Sequence, residues 1–289
     1  MMMLSQELLA KLRKATLVVK TRKRGTHKGL RRSPKFGSSL EFSDFRAYQP
    51  GDDLRQIDWN IYGRTMKHYI KRYLDEQEIK TAIYLDCTAS VNIIESKWER
   101  AKQIAAAFTY LALSNEDQVS FIPVETKQPR IIHKKGSFHA KASIFEILNL
   151  QVKNEGLSFT ESIKSHFLKG KQLTIIITDG LEPIDHYEGV LEKFAFLKGE
   201  VWFIQLLSRI EIHPEYHGDI KLIDSETRNE VNVSMKPRII SQYEKKLNEH
   251  TENLKLLCKR LGFGYLLVDD TKTIDEIILR DCISHGWIR

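Results

Sequence analysis

From residue 79 onward, short apolar runs alternate with longer amphipathic stretches, and this alternation limits the folds open to the chain more than any other feature. IKTAIYLD (79–86), QVSFIPV (118–124), QLTIIITD (172–179), EVWFIQLL (200–207) and FGYLLVDD (263–270) read as strands, with a shorter one at PRIIHK (129–134). QLTIIITD is apolar at successive positions, the mark of a strand covered on both faces. Helical patterns lie between these runs. In SKWERAKQIAAAFTYLALSNED, Trp98, Ala101, Ala105, Phe108 and Ala112 recur at helical spacing, and Ser96 and Glu99 are spaced as a capping box. KASIFEILNLQ, TESIKSHFL and HYEGVLEKFAFL are further predicted helices. So is PRIISQYEKKLNEHTENLKLLCKRLG, with Pro237 in its first turn and Gly262 at its end. TIDEIILRDCI follows the last strand, with Thr273 and Glu276 spaced as a second capping box. GDIKLIDSETRNEVNVS (218–234) predicts a β-hairpin turning at Ser225–Asn229. The alternation predicts an α/β fold, a mainly parallel sheet with helices on both faces.

Residues 1–75 follow a different pattern. An amphipathic helix with Leu8, Leu9, Leu12, Leu17 and Val18 on or near one face opens the chain. A basic arm, KTRKRGTHKGLRRSPK, comes next. Residues 1–40 hold eleven Lys/Arg and one acid, a balance of +10, whereas the remaining 34 basic and 37 acidic residues give −3. Such an arm suits nucleic acid, anionic lipid or an acidic protein face, or else a solvated terminus, and it lacks the interleaved aromatic residues that stack on bases. SLEFSDFRAYQ and MKHYIKRYL then alternate like strands on either side of a PGDD turn. The expected organisation is a basic arm and β extension over 1–75 and an α/β domain over 76–289, with a hairpin insertion near 218–234.

In a parallel sheet the loops at the carboxyl ends of the strands gather in one crevice, where ligands bind. Asp86 and Asp179 each end a predicted strand and are expected in that crevice. Thr88 and Ser90 follow Asp86 at alternate positions, and Thr160 opens a helix before the second acid-bearing strand. Asp, Thr and Ser with no Cys or His beside them are hard oxygen donors that suit Mg²⁺ or Mn²⁺. The same residues are also routine helix caps and turn formers. An aspartyl-nucleophile phosphatase wants a second acid where this chain has Thr88. There is no G-x-x-x-x-G-K-[ST] loop for ATP, no G-x-S-x-G elbow and no H-E-x-x-H helix.

The set Asp86, Thr88, Ser90, Thr160 and Asp179 resembles the metal-ion-dependent adhesion site of von Willebrand factor A domains, with Thr88 in place of its first Ser. The stretch GSSLEFSDFRAYQPGDDLRQIDWNIYGRTMKHYIKRYLDEQEIKTAIYLDCTAS resembles the domain of unknown function 58 family. The resemblance is carried by Phe45, Arg46, Tyr48, Pro50, Gly51, Asp52, Asp53, Arg55, Ile57, Asp58, Trp59 and Arg64, and it extends over roughly residues 25–280. It implies a von Willebrand factor A-like fold and an adaptor or chaperone-like role beside a MoxR-type AAA ATPase. Physically, Pro50–Gly51 makes a tight turn. Asp52, Asp53 and Asp58 lie among Arg46, Arg55 and Arg64, inviting ion pairs, and Trp59 is expected to anchor packing. The motif reads either as a structural clamp or as a partner-binding surface.

The expected function is non-enzymatic. A divalent cation held by the five oxygen-bearing residues would bind a partner through an acidic side chain. The alternatives are a metal-dependent phosphoesterase or nuclease, in which Glu182 and Asp185 add ligands or a base, and a domain with no ion. No run approaches ~18 apolar residues, so no membrane span is expected. Three scattered cysteines, Cys87, Cys258 and Cys282, and the lack of a secretory leader pattern in the first residues lead to the expectation of a reducing cytoplasm.

Overall fold

The computed structural model describes residues 4–20, 28–124, 130–152, 158–215, 218–223 and 230–289, with backbone alone at 28–44, 72–77 and 222–223. The chain divides into two units, residues 23–79 and residues 1–22 together with 80–289. The basic arm lies for the most part outside the described side chains, and the hairpin turn predicted at 225–229 lies outside the described residues.

Strands β1 (Lys28–Ala47) and β2 (Tyr69–Gln77) of the smaller unit pair antiparallel through an irregular register that runs from Lys28 opposite Gln77 to Ala47 opposite Tyr69. Between them the motif folds around its three acids. Gly51 takes a φ of +103°, which a turn with no Cβ allows, and the Asp52 N–H donates to the Gln49 carbonyl at 3.1 Å. Asp52 accepts two bonds from the Arg46 guanidinium, at 2.7 and 2.5 Å, and one from the Gln49 N–H at 2.8 Å. These contacts, the Arg46 bond above all, hold its carboxyl below the ordinary range. Asp53 caps the 3₁₀ turn Leu54–Gln56 by accepting from the Arg55 N–H at 3.0 Å. Asp58 caps a seven-residue helix (Trp59–Thr65), accepting from the Asn60 and Ile61 N–H groups at 2.8 and 3.1 Å, and pairs with Lys71 at 3.0 Å.

Only Arg46 forms the tight Arg–Asp pair expected from the motif. Arg55 stands 3.5 Å from Asp53 in solvent, and Arg64 donates to the Asn60 carbonyl of its own helix at 3.3 Å. Trp59 is not a packing anchor. It is 61% exposed, because Asp58 fixes the helix from its amino end and the buried apolar contact falls to Ile57 and Ile70, which bridge each other.

The larger unit begins with α1 (Gln6–Lys14), and the short motif helix is α2 (Trp59–Thr65). Its sheet comprises β3 (Lys80–Asp86), β4 (Gln118–Val124), β5 (Ile132–Lys135), β6 (Leu173–Thr178), β7 (Glu200–Leu207) and, after a separate hairpin of β8 (Gly218–Ile223) and β9 (Glu230–Met235), β10 (Gly264–Asp269). The order across the sheet is β10-β7-β6-β3-β4-β5, parallel throughout except for β5, which runs antiparallel to β4. The helices are α3 (Ala89–Asn92), α4 (Glu95–Ser114), α5 (Ala140–Leu148), α6 (Phe159–Ile163), α7 (Ile184–Phe196), α8 (Arg209–Ile212) and α9 (Pro237–Arg260), followed by a π-helical segment, Glu276–Cys282. This helix-flanked, mainly parallel sheet is the α/β arrangement the sequence predicts.

β3 and β6 are buried at nearly every position, which accounts for their unbroken apolar runs. One core layer packs Tyr84, Phe159, Tyr187, Phe194 and Phe203 beneath α7 and α9. On the other side α4 is buried almost all round, since it also carries α1 and α5. The Thr273–Glu276 capping box forms as expected. The Ser96–Glu99 box does not. Helix α4 starts at Glu95, and the Ser96 hydroxyl donates instead to Asp270 at 2.6 Å.

Residues 1–22 belong with the larger unit, whereas the sequence pattern groups them with the β extension. Leu8 and Leu12 are fully buried. Thr16 and Arg289 exchange two backbone bonds, at 2.8 and 3.1 Å, and the Val18 N–H donates to the Trp287 carbonyl at 2.8 Å. The Trp287 ring stacks on Trp202 with centroids 4.8 Å apart, and Gly264 leaves the room a Cβ would take from it. Leu12→Ala is expected to lower the unfolding free energy of the larger unit by about 2–4 kcal/mol, measured by urea unfolding, because the helix is part of its core.

Candidate functional site

The chain runs from β3 out to β4, then returns to place β6 on the other side of β3, so the β3/β6 boundary is where the strand order reverses. Leu85 pairs with Ile177 across it, which puts Asp86 and Asp179 side by side at the carboxyl ends of two adjacent strands. Both are buried.

Asp86 is fixed from three directions. Its Oδ1 accepts from the Thr88 N–H at 2.9 Å and from the Thr88 hydroxyl at 2.7 Å, and its Oδ2 accepts from the Thr178 hydroxyl at 2.6 Å. Ser90 Oγ lies 3.1 Å from Thr88 Oγ1. With the Thr88 proton given to Asp86, Ser90 is the donor between the two hydroxyls, and the chain runs Ser90 to Thr88 to Asp86. Thr88 stands at the N-cap position of α3, yet its side chain makes no capping bond. Its hydroxyl serves the carboxylate and not the helix, which separates this arrangement from an ordinary cap.

Gly180 explains the Asp-Gly pair after β6. Its φ is +68°, and a Cβ there would fall 2.8 Å from Leu254 and 3.2 Å from Gln205. Gln205 in turn donates to the Asp179 carbonyl at 2.9 Å, and the Leu181 N–H donates to Asp179 Oδ1 at 3.3 Å. Asp179 Oδ2 accepts from Lys97 Nζ at 3.2 Å, and Lys97 donates to Glu211 at 2.6 Å. The Lys97 side chain is 0% exposed. Burial works against its charge, but Asp179 and Glu211 outweigh burial and raise its pKa.

Thr160 takes Glu182, and not the Asp86–Thr88–Ser90 chain, as its hydrogen-bond partner. Helix α6 is capped by Ser158, and Thr160 is buried in its first turn. Its N–H donates to Glu182 Oε1 at 2.9 Å and its hydroxyl makes a short bond to Glu182 Oε2. Glu182 is therefore the partner of Thr160, while Asp185, the other acid considered beside it, is exposed. The neighbourhood is nonetheless shared. Tyr187, buried with its hydroxyl 3.4 Å from Thr178, is raised well above the ordinary tyrosine value by burial and then by the charges of Asp179, Glu182 and Asp86.

The electrostatics are those of an acid pair short of positive charge. Burial first, and the Asp179 charge second, push the Asp86 pKa up, and the Thr178 and Thr88 bonds offset only part of this. The oxygen-only donors fit a hard divalent cation, because two carboxylates and the Thr88 and Ser90 hydroxyls converge where negative charge is under-compensated. Among the described residues no three His, Cys, Asp or Glu side chains form a metal-holding group, so a cation here leans on the hydroxyls.

Lys97, Thr178 and Glu211 escape the sequence reading, and Glu182, expected there only as an added ligand or base of a hydrolase, proves to be the partner of Thr160. Lys97 did carry a signal, since it falls four residues before Ala101 on the buried stripe of α4. Ser208 and Glu211 form a capping box, legible in the same way as the one at Thr273.

An α/β unit whose mainly parallel sheet carries a buried acid pair at its strand switch point is the class of protein these features define. The family described as Protein of unknown function DUF58 matches residues 44–253, and the chain belongs to that family. Among curated proteins it is 24% identical over 264 residues to the uncharacterized proteins Rv1480 of Mycobacterium tuberculosis (strain ATCC 25618 / H37Rv) and Mb1516 of Mycobacterium bovis, covering 89% of this chain and 83% of each of those. Solved structures similar to it include conserved hypothetical protein BatB from Bacteroides thetaiotaomicron, with a TM-score of 0.39 and 15% identity over 72% of this chain and 98% of that one. Another is an aerotolerance-related membrane protein from Bacteroides fragilis NCTC 9343 bearing multiple mutations to serines, with a TM-score of 0.36 and 13% identity over 71% of this chain and 99% of that one.

The cytoplasmic location expected from the sequence is corrected here. One of those structures is described as a membrane protein, and three dispersed cysteines, buried and outside any disulfide, bear on redox setting and not on compartment. Among the described residues no helix is long and apolar enough to cross a membrane.

Because the folded Asp86 holds its proton to higher pH than the unfolded chain, stability in chelator is expected to fall as pH rises above about 4, the unfolded carboxylate range. Asp86→Asn removes that part of the slope, which urea unfolding across pH detects. Lys97→Ala, which strands Asp179 and Glu211, is expected to cost about 3–5 kcal/mol by the same measurement.

Proposed function

We propose that the chain is a non-enzymatic, cation-dependent protein-binding module that serves as an adaptor for a MoxR-type AAA ATPase. The observation that carries this reading is the buried, mutually repelling pair Asp86 and Asp179, whose neighbours are hydroxyls around Asp86 and the Lys97 ammonium beside Asp179, and not a nucleophile with its base. Asp86, Thr88, Ser90 and Asp179, with Thr160 supplying a further hydroxyl, would hold Mg²⁺ or Mn²⁺. When bound, the cation offers a Lewis-acidic position to an incoming carboxylate of the partner.

The chain's own residues do the positioning. Thr178 and the Thr88 N–H hold Asp86 in one orientation. Thr88 spends its proton on Asp86 and so presents only lone pairs outward. Glu182 orients Thr160 from behind, and Lys97 keeps Asp179 turned toward α4. The choice of an ATPase as partner is supported by membership of the family whose motif spans residues 45–64.

The test is capture of the purified MoxR-type ATPase from the same cell by the full chain. Capture is expected with Mg²⁺ and is expected to fall more than about tenfold with chelator or in Asp86→Ala, with the far-ultraviolet spectrum unchanged. Capture that survives both treatments removes the proposal.

A further inference from the structure

The motif of the smaller unit divides into an inward and an outward half. Residues 45–71 hold five cations, Arg46, Arg55, Arg64, Lys67 and Lys71, and three acids, Asp52, Asp53 and Asp58, an excess of two positive charges. Asp52 neutralises Arg46 and Asp58 neutralises Lys71. What faces solvent is Arg55, 91% exposed, with Arg64 and Lys67. Beside them stand large apolar side chains, Leu54 at 59%, Trp59 at 61% and Met66 at 73% exposed.

The aromatic residues form a cluster and are not scattered. Trp59 meets Tyr62 edge-on with centroids 5.9 Å apart, Tyr62 stacks on His68 at 4.5 Å, and Tyr48 lies 6.3 Å from His68. Trp59 and Tyr62 are three residues apart and share a face of α2. Single exposed apolar residues are ordinary, whereas a ring cluster with a charged rim marks a place where another molecule sits. Trp, Tyr and Arg are the side chains that most often carry interface energy.

We infer that Trp59 and Tyr62 on α2, with Leu54 and Arg55 of the turn just before it, form a second docking surface, which takes a protein segment bearing a large apolar side chain flanked by carboxylates. Charge complementarity selects that occupant. The guanidinium of Arg55 can receive a carboxylate fork while Trp59 and Leu54 receive the apolar side chain. A nucleic acid or an anionic membrane fits less well. Asp53, half exposed 3.5 Å from Arg55, opposes a polyanion. Leu54 and Met66 also have no use against phosphates. The surface lies within residues 23–79 and does not depend on the cation site.

The test uses the full chain against a displayed library of short random peptides. Enriched peptides are expected to pair acidic residues with at least one large apolar residue. Binding of one such synthetic peptide, measured by calorimetry, is expected to weaken more than about tenfold in Trp59→Ala and in Arg55→Glu, with unchanged melting. Leu54→Ser, at an exposed position, supplies the same readout if Trp59→Ala melts early. Binding is expected to be indifferent to EDTA and to Asp86→Ala, so failure here and failure at the cation site are distinguishable. The inference is overturned by no enrichment, by enriched basic peptides, or by variants that bind as wild type does. It is also overturned if Trp59→Ala abolishes binding to oligothymidylate or anionic phospholipid vesicles, or abolishes self-association in sedimentation.

Discussion

Two carboxylates buried at the ends of neighbouring parallel strands repel each other, and the rest of the larger unit is arranged around that repulsion. Moving an isolated carboxylate out of water is so costly that it normally neutralises itself or finds a partner. Asp179 has one in Lys97, which is itself held by Glu211. Asp86 has only neutral donors, from Thr88 and Thr178. Hydroxyl and amide dipoles favour its ionised form but do not cancel its charge, and burial with the Asp179 field prevails. The site is thus asymmetric, with one acid facing an ammonium and the other facing neutral donors.

The fold and half of this site are legible in sequence for the same reason. Apolar runs buried on both faces, separated by helices, leave a parallel sheet as the economical packing, and a parallel sheet delivers every strand-ending side chain to one edge. Asp86, Thr88, Ser90 and Asp179 follow from that geometry. Lys97, Glu182 and Glu211 do not, because their partners are far away in the chain. Lys97 to Asp179 spans 82 residues and Lys97 to Glu211 spans 114. No local pattern records such a choice. Thr160 shows the limit from the other side, since its burial follows from helix spacing but its commitment to Glu182 is settled only by the loop after β6.

The capping boxes make the same point with less at stake. Thr273–Glu276 and Ser96–Glu99 are equivalent as sequence. The first forms, and the second loses its serine to Asp270, which also accepts from the Arg209 N–H at 3.0 Å. A buried carboxylate outbids a helix end for a hydroxyl because its unmet demand is larger. Trp59 is the converse case. Local reading makes any tryptophan an anchor, but α2 is held by its Asp58 cap and needs none.

The two units handle charge in opposite ways. In the larger unit Asp86 and Asp179 turn inward, and negative charge there is under-compensated. In the smaller unit the acids serve as caps and clamps, leaving Arg55 and Arg64 exposed. The difference is one of burial. An acid inside the larger unit has to be met by donors, by an ammonium or by a proton, whereas at the surface of the smaller unit water screens the charge that caps and clamps leave over.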